Sequence, residues 1–196
     1  MPDALLRRII DPPSAALASR ISHWSVSATG LLVIGFGSGI GAVACIAAHK
    51  PLAGLGFIAL KQVLAGVAEP LARMTGGSPL AAFLGVVFDF LIRGSISLAF
   101  ALADPSRALA AAFLILSFVG TGISLLAAAV FDPSAGMREE KSPLLPSGLI
   151  ESATVYVAFA LACVVPACFS AVAYGLGVAC FVVAGTRVAS TIERLK

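Results

Sequence analysis

The chain has 196 residues, 59% of them hydrophobic and only 12% charged, with a formal net charge of +3. A soluble domain carries about 25% charged residues, so this composition excludes a water-covered globule. No basic run accompanies the small positive excess, which excludes the electrostatic footprint of a nucleic-acid binder.

Lipid is the solvent that tolerates such a chain, and in lipid the backbone must satisfy its own hydrogen bonds. Ala and Leu dominate, and the apolar-out, polar-in alternation of a barrel strand is absent. The expected fold class is therefore all-α, a polytopic membrane bundle of six transmembrane helices.

Residues 1–28 form a polar-to-amphipathic segment on the cytoplasmic side of the membrane or at its surface. Asp11-Pro12-Pro13-Ser14 is a helix-start signal. Leu17, Ile21 and Trp24 then share one face beside Arg20, the pattern of a short helix lying in the interface. The apolar run that follows is too long for the core of a cleavable signal and reads as the first membrane span.

Residues 29–190 carry six spans, each near the ~20 residues a bilayer needs. They are expected at about Thr29 to Ala48, Leu52 to Ala72, Pro79 to Leu102, Ala108 to Phe131, Gly148 to Val165 and Phe169 to Ser190. The breaks are His49-Lys50-Pro51, the segment 73–78 with Thr75-Gly76-Gly77, Asp104-Pro105-Ser106, the polar loop 132–147 and Pro166. Residues 191–196 are a cytoplasmic tail.

Loop charge sets the orientation. Arg7, Arg8, Arg20, Arg73, Arg138, Lys141, Arg194 and Lys196 collect on one side, against Lys50 and Arg107 on the other. The richer side is expected to be cytoplasmic, with both termini inside. An even number of spans requires the same arrangement.

Gly35, Gly37, Gly39 and Gly41 give the first span two overlapping small-xxx-small spacings, which let helix backbones approach closely. The stretch also fits a loose G-x-G-x-x-A. No strand precedes it, and Lys61 stands where a dinucleotide site needs an acid, so that reading is rejected. Cys45, Cys163, Cys168 and Cys180 form no C-x-x-C pair and read as small hydrophobes.

Ionisable residues inside spans are the functional candidates. Lys61 and Glu69 lie two turns apart on the second span. Asp89 and Arg93 lie one turn apart on the third and are placed to pair. Glu151 opens the fifth span, and Arg187 lies near the end of the sixth. Mutual neutralisation within the bundle is the plain alternative to function for these charges.

Ala65 to Arg73 reads A-G-V-A-E-P-L-A-R, and Ala81 to Asp89 reads A-A-F-L-G-V-V-F-D. In frame, this resembles the signature of the CDP-alcohol phosphatidyltransferases, D-x-x-D-G-x-x-A-R followed by G-x-x-x-D-x-x-x-D. Ala72, Arg73 and Asp89 match it. Ala65, Ala68 and Gly85 stand where three carboxylates belong, and Glu69 and Ala81 replace glycines. The stretch from Phe88 to Pro105, FDFLIRGSISLAFALADP, is similar to one bacterial branch of that family. So are SFVGTG from Ser117 to Gly122, Gly148 to Glu151 and Thr186-Arg187-Val188.

The resemblance implies six transmembrane helices with a site open to the cytoplasm, in the bacterial cytoplasmic membrane. It implies a phospholipid-biosynthesis reaction, transfer of a phosphatidyl group from CDP-diacylglycerol, or of a related group from another CDP-alcohol, to an alcohol with release of CMP. It implies Mg2+ or Mn2+ held by carboxylates, with Asp89 at the general-base position and Arg73 in the nucleotide segment. Ala72, Arg73, Lys141 and Arg187 are the nucleotide or phosphate candidates, and Asp89 and Glu69 the metal candidates. Membrane lipids and a second copy of the chain are the implied partners.

The chemistry of the substituted residues argues against full activity. A divalent ion wants several oxygen ligands, and Ala65, Ala68 and Gly85 supply none. Arg93, one turn from Asp89, repels a metal. The expectation is a pseudoenzyme, catalytically impaired or inactive and needing no cofactor. An active transferase built on Glu69 and Asp89 remains open, as does a small transporter or a membrane partner protein. Against a transporter, no inverted repeat and no paired broken helices are evident.

Overall fold

The structure, a computed structural model, describes residues 27–74, 79–131 and 149–195. Every regular element among them is helical: α1 (Ala28–Ala47), α2 (Pro51–Met74), α3 (Pro79–Ala103), α4 (Ala108–Phe131), α5 (Leu149–Val164) and α6 (Phe169–Leu195). The expected amphipathic surface helix before residue 27 and the polar loop 132–147 lie outside the described residues.

Helices α1 to α4 and α6 are each long and apolar enough to cross a membrane. The fold is therefore that of an all-α, polytopic membrane protein. Helix α5 is shorter, with 16 residues, or about 24 Å at ~1.5 Å per residue, against a hydrocarbon core of about 30 Å. Leu109, Val130 and Val157 stand exposed while Ser97 and Ser117 are fully buried. That inverts the distribution of a water-soluble protein and suits a surrounding of lipid tails.

The chain divides into two compact units, Met1–Ser95 and Ile96–Lys196. In the first, α1 begins at Ser27, whose hydroxyl accepts from the Gly30 amide at 3.0 Å and so satisfies one of the free N–H groups of a helix start. The helix ends in a Schellman turn. The Lys50 amide donates to Cys45 O and the His49 amide to Ile46 O, and His49 takes the left-handed backbone (φ 59°) that glycine usually fills. Pro51 then opens α2, where a missing N–H does no harm. Three residues thus turn the chain back on itself.

Helices α1 and α2 pack along their length, and the glycine run explains how. A Cβ on Gly39 would lie 2.6 Å from Ile92 Cδ1 of α3, and one on Gly41 would lie 3.1 Å from the Phe57 ring of α2. A Cβ on Gly54 of α2 would meet Ile46 at 2.6 Å. Gly37, by contrast, faces open space. The close approach expected of these glycines is realised inside the unit. Ser38 Oγ donates to Phe57 O at 2.9 Å, and Phe36 stacks on Phe88 at 4.3 Å between ring centroids. Ala28, Leu31, Val67, Ala68, Leu71 and Ala81 form an apolar cluster at the other end of the three helices. Pro70 sits within α2 and removes one main-chain hydrogen bond there.

In the second unit, Asp104 ends α3 and starts the next turn. Its Oδ1 accepts from the Ser106 amide at 3.0 Å and from the Ser106 hydroxyl at 2.7 Å. Arg107 Nε pairs with Oδ2 at 3.1 Å. Helix α4 packs on α6 through a polar seam. Thr121 Oγ1 donates to Ser117 O of its own helix at 2.9 Å and to Cys180 O of α6 at 3.3 Å; the second is the interhelical hydrogen bonding that substitutes in lipid for a hydrophobic driving force. Gly177 leaves room for the Phe113 ring, which a Cβ would meet at 2.6 Å.

Candidate functional site

Among the described residues of the first unit, two basic side chains from within the helices, Lys61 and Arg93, converge on Asp89, at mid-length in α3. Lys61 of α2 brings Nζ to 2.6 Å from Asp89 Oδ1. Arg93, one turn along α3, pairs through its NH2 group with Asp89 Oδ2. The side chains of Lys61, Asp89 and Arg93 are 8%, 21% and 4% exposed. Lys61 also donates to Gln62 Oε1 at 3.2 Å, and the Arg93 guanidinium lies 5.4 Å from the Phe90 ring centroid. One carboxylate thus carries a cation on each of its oxygens, one from its own helix and one from the helix beside it.

This arrangement answers whether the residues fit a divalent ion. A +2 ion about 4 Å from one carboxylate gains about 8 kcal/mol at an effective dielectric constant of about 20, and each fixed cation at a similar distance repels it by as much. Two cations against one carboxylate make the balance repulsive. Among the described residues no three His, Cys, Asp or Glu side chains come together at metal-holding spacing. Ala68 is buried in the apolar cluster and Ala72 packs against it, while a Cβ on Gly85 would touch Leu32 of α1 at 3.9 Å. Of the positions without carboxylates, Ala68 and Gly85 thus face packing partners, and the described residues do not fit a divalent metal.

The other candidates are placed as follows. Glu69 lies two turns beyond Lys61 on α2 and Arg73 in the last turn of the same helix, but their side chains lie outside the described part. The sequence sets Lys61 and Glu69 on one helix face, whereas the structure sends the Lys61 ammonium across to Asp89. Glu151 lies in the first turn of α5 with its side chain undescribed, and Lys141 falls outside the described residues.

Arg187, on α6 in the second unit, donates to Thr121 O at 3.3 Å and to Ser124 Oγ at 3.2 Å. Ser117, Thr121 and Ser124 repeat at i, i+4 and i+7 on the buried face of α4, the first two of them within the SFVGTG segment. Ser and Thr are common enough in membrane helices that spacing alone does not mark them.

The helices and the buried ion cluster define a polytopic α-helical membrane protein with a charged site between two of its spans. The chain is 33% identical over 176 residues to inner membrane protein YnjF of Escherichia coli (strain K12), a match covering 87% of this chain and 85% of that protein. It belongs to the family of that protein. No family model matches the chain, and no solved structure matches it.

Proposed function

We propose that the chain is a CDP-alcohol phosphatidyltransferase-like protein of the inner membrane whose transfer chemistry is silent or much weakened. In this reading it engages a lipid or nucleotide phosphate through cationic side chains, with Arg73, Lys141 and Arg187 as the candidates. The observation that carries the reading is the state of Asp89. A general base, or a carboxylate that holds metal, needs at least one oxygen turned to substrate or ion, and here Lys61 and Arg93 hold both. The name of the E. coli relative supports the inner membrane as the location.

The test is CMP release. Purified protein given CDP-diacylglycerol, a panel of alcohols and Mg2+ or Mn2+ is expected to release CMP no faster than a protein-free blank. Metal-dependent release that disappears in Asp89→Asn would overturn the reading and restore an active transferase.

The same proposal places both termini in the cytoplasm, on the strength of the arginine and lysine bias of the loops. Fusing green fluorescent protein to the C-terminus should give fluorescent cells, and fusing alkaline phosphatase there should give inactive phosphatase. The opposite pair of results would reverse the topology.

A further inference from the structure

The Lys61 ammonium stands 2.6 Å from Asp89 Oδ1. Calcium lies about 2.3–2.6 Å from its oxygen ligands and magnesium about 2.0–2.1 Å. The lysine nitrogen therefore stands at the distance from this oxygen that a bound divalent ion would take, and an ammonium and a divalent ion crowded on one oxygen repel each other. The side chain is fixed there rather than swinging at a surface, since it is 8% exposed and also bonded to Gln62. Arg93 holds the opposite oxygen, so displacing Lys61 would not open a clear path from the other side.

Resting on the reading that the chain engages a phosphate-bearing ligand, we infer that Lys61 is a chain-borne cation at Asp89, in the place of a divalent ion, and that the α2–α3 site works without metal. An ammonium differs from a metal ion in what it offers a ligand. It presents up to three hydrogen-bond donors and a single charge, and it is supplied at fixed stoichiometry whatever the metal content of the cell. A phosphate held by side-chain cations rather than by metal is bound through charge-assisted hydrogen bonds and is insensitive to chelators.

The experiment counts bound Mn2+ per chain by electron paramagnetic resonance on the full-length protein in detergent. Wild type, Lys61→Arg and Lys61→Asp are compared side by side, so that metal bound elsewhere is common to all three. Lys61→Asp is expected to bind one more Mn2+ per chain than wild type, and Lys61→Arg to match wild type. Equal counts in all three would overturn the inference, as would a lower count in Lys61→Arg. If Lys61→Asp does not fold, Lys61→Glu also replaces the ammonium by a second carboxylate beside Asp89, and the same gain is expected there.

A second arm measures binding of radiolabelled CDP-diacylglycerol to wild type with EDTA or with Mn2+. Binding retained in EDTA supports the inference, and binding seen only with Mn2+ overturns it while leaving the ligand reading intact. The manganese count uses no lipid, so its outcome is separate from that of the reading on which this inference rests.

Discussion

Asp89→Leu is expected to destabilise the folded chain by about 3–5 kcal/mol, the usual result of removing one partner from a buried ion pair. The reason lies in the two cations left behind. Lys61 and Arg93 are nearly inaccessible, and without the carboxylate their charges face each other in a low-dielectric interior. Lys61→Met or Arg93→Met should lose less, because each leaves one cation on the aspartate. The triple variant Lys61→Met, Asp89→Leu, Arg93→Met should recover most of the loss, since a buried ionic cluster replaced whole by apolar side chains is often close to neutral. Equilibrium unfolding in mixed detergent–SDS micelles reads all four. An Asp89→Leu protein as stable as wild type would mean that water reaches the cluster and solvates the two cations.

The second large effect is expected at Gly39. A Cβ there would fall 2.6 Å from Ile92 Cδ1, 2.8 Å from Cγ1 and 3.1 Å from Cγ2. A flexible side chain would swing its end away, but isoleucine is branched at Cβ and stiff about χ1, and Ile92 is 1% exposed. Gly39→Val should therefore destabilise by about 1–3 kcal/mol, the range for overpacking a core, even after valine's gain in helix propensity over glycine. Ile92→Ala introduced into that variant should return much of the loss. Gly37→Ala is the internal control. Nothing lies within 4 Å of its Cβ position, so the substitution should be neutral or stabilising by up to about 1 kcal/mol. If Gly37→Ala were the more damaging change, the outward face of α1 would be the packed one. The same unfolding measurement distinguishes these cases.

Helix positions were legible in the sequence because hydropathy and loop chemistry act locally. The fourth span, expected at Ala108 to Phe131, has those bounds in α4, and His49-Lys50-Pro51 and Asp104-Pro105-Ser106 mark real turns. The Asp89–Arg93 pair was legible for the same reason, since four residues on a helix bring two side chains together. The Lys61–Asp89 pair was not. Its members are 28 residues apart on different helices, and only the rotation of α2 against α3 decides that the lysine reaches across rather than along its own helix. The roles of the small residues needed the same information. Spacing marked Gly39 and Gly37 alike, and only the structure separates a glycine under Ile92 from one facing open space. Ala68 looked like a vacated ligand position and is also a member of the apolar cluster that joins the first three helices.

The three-residue turn at His49 has a consequence for how the protein is made. The three-residue connection between α1 and α2 favours their insertion as one hairpin, which would carry Lys61 with it. Asp89 leaves the ribosome 28 residues later. A lysine at the middle of a span opposes insertion by about 2.5–3.5 kcal/mol, so the nascent hairpin carries that penalty until the third helix arrives with its carboxylate. Biogenesis thus imposes an order in which α3 completes the seating of α2.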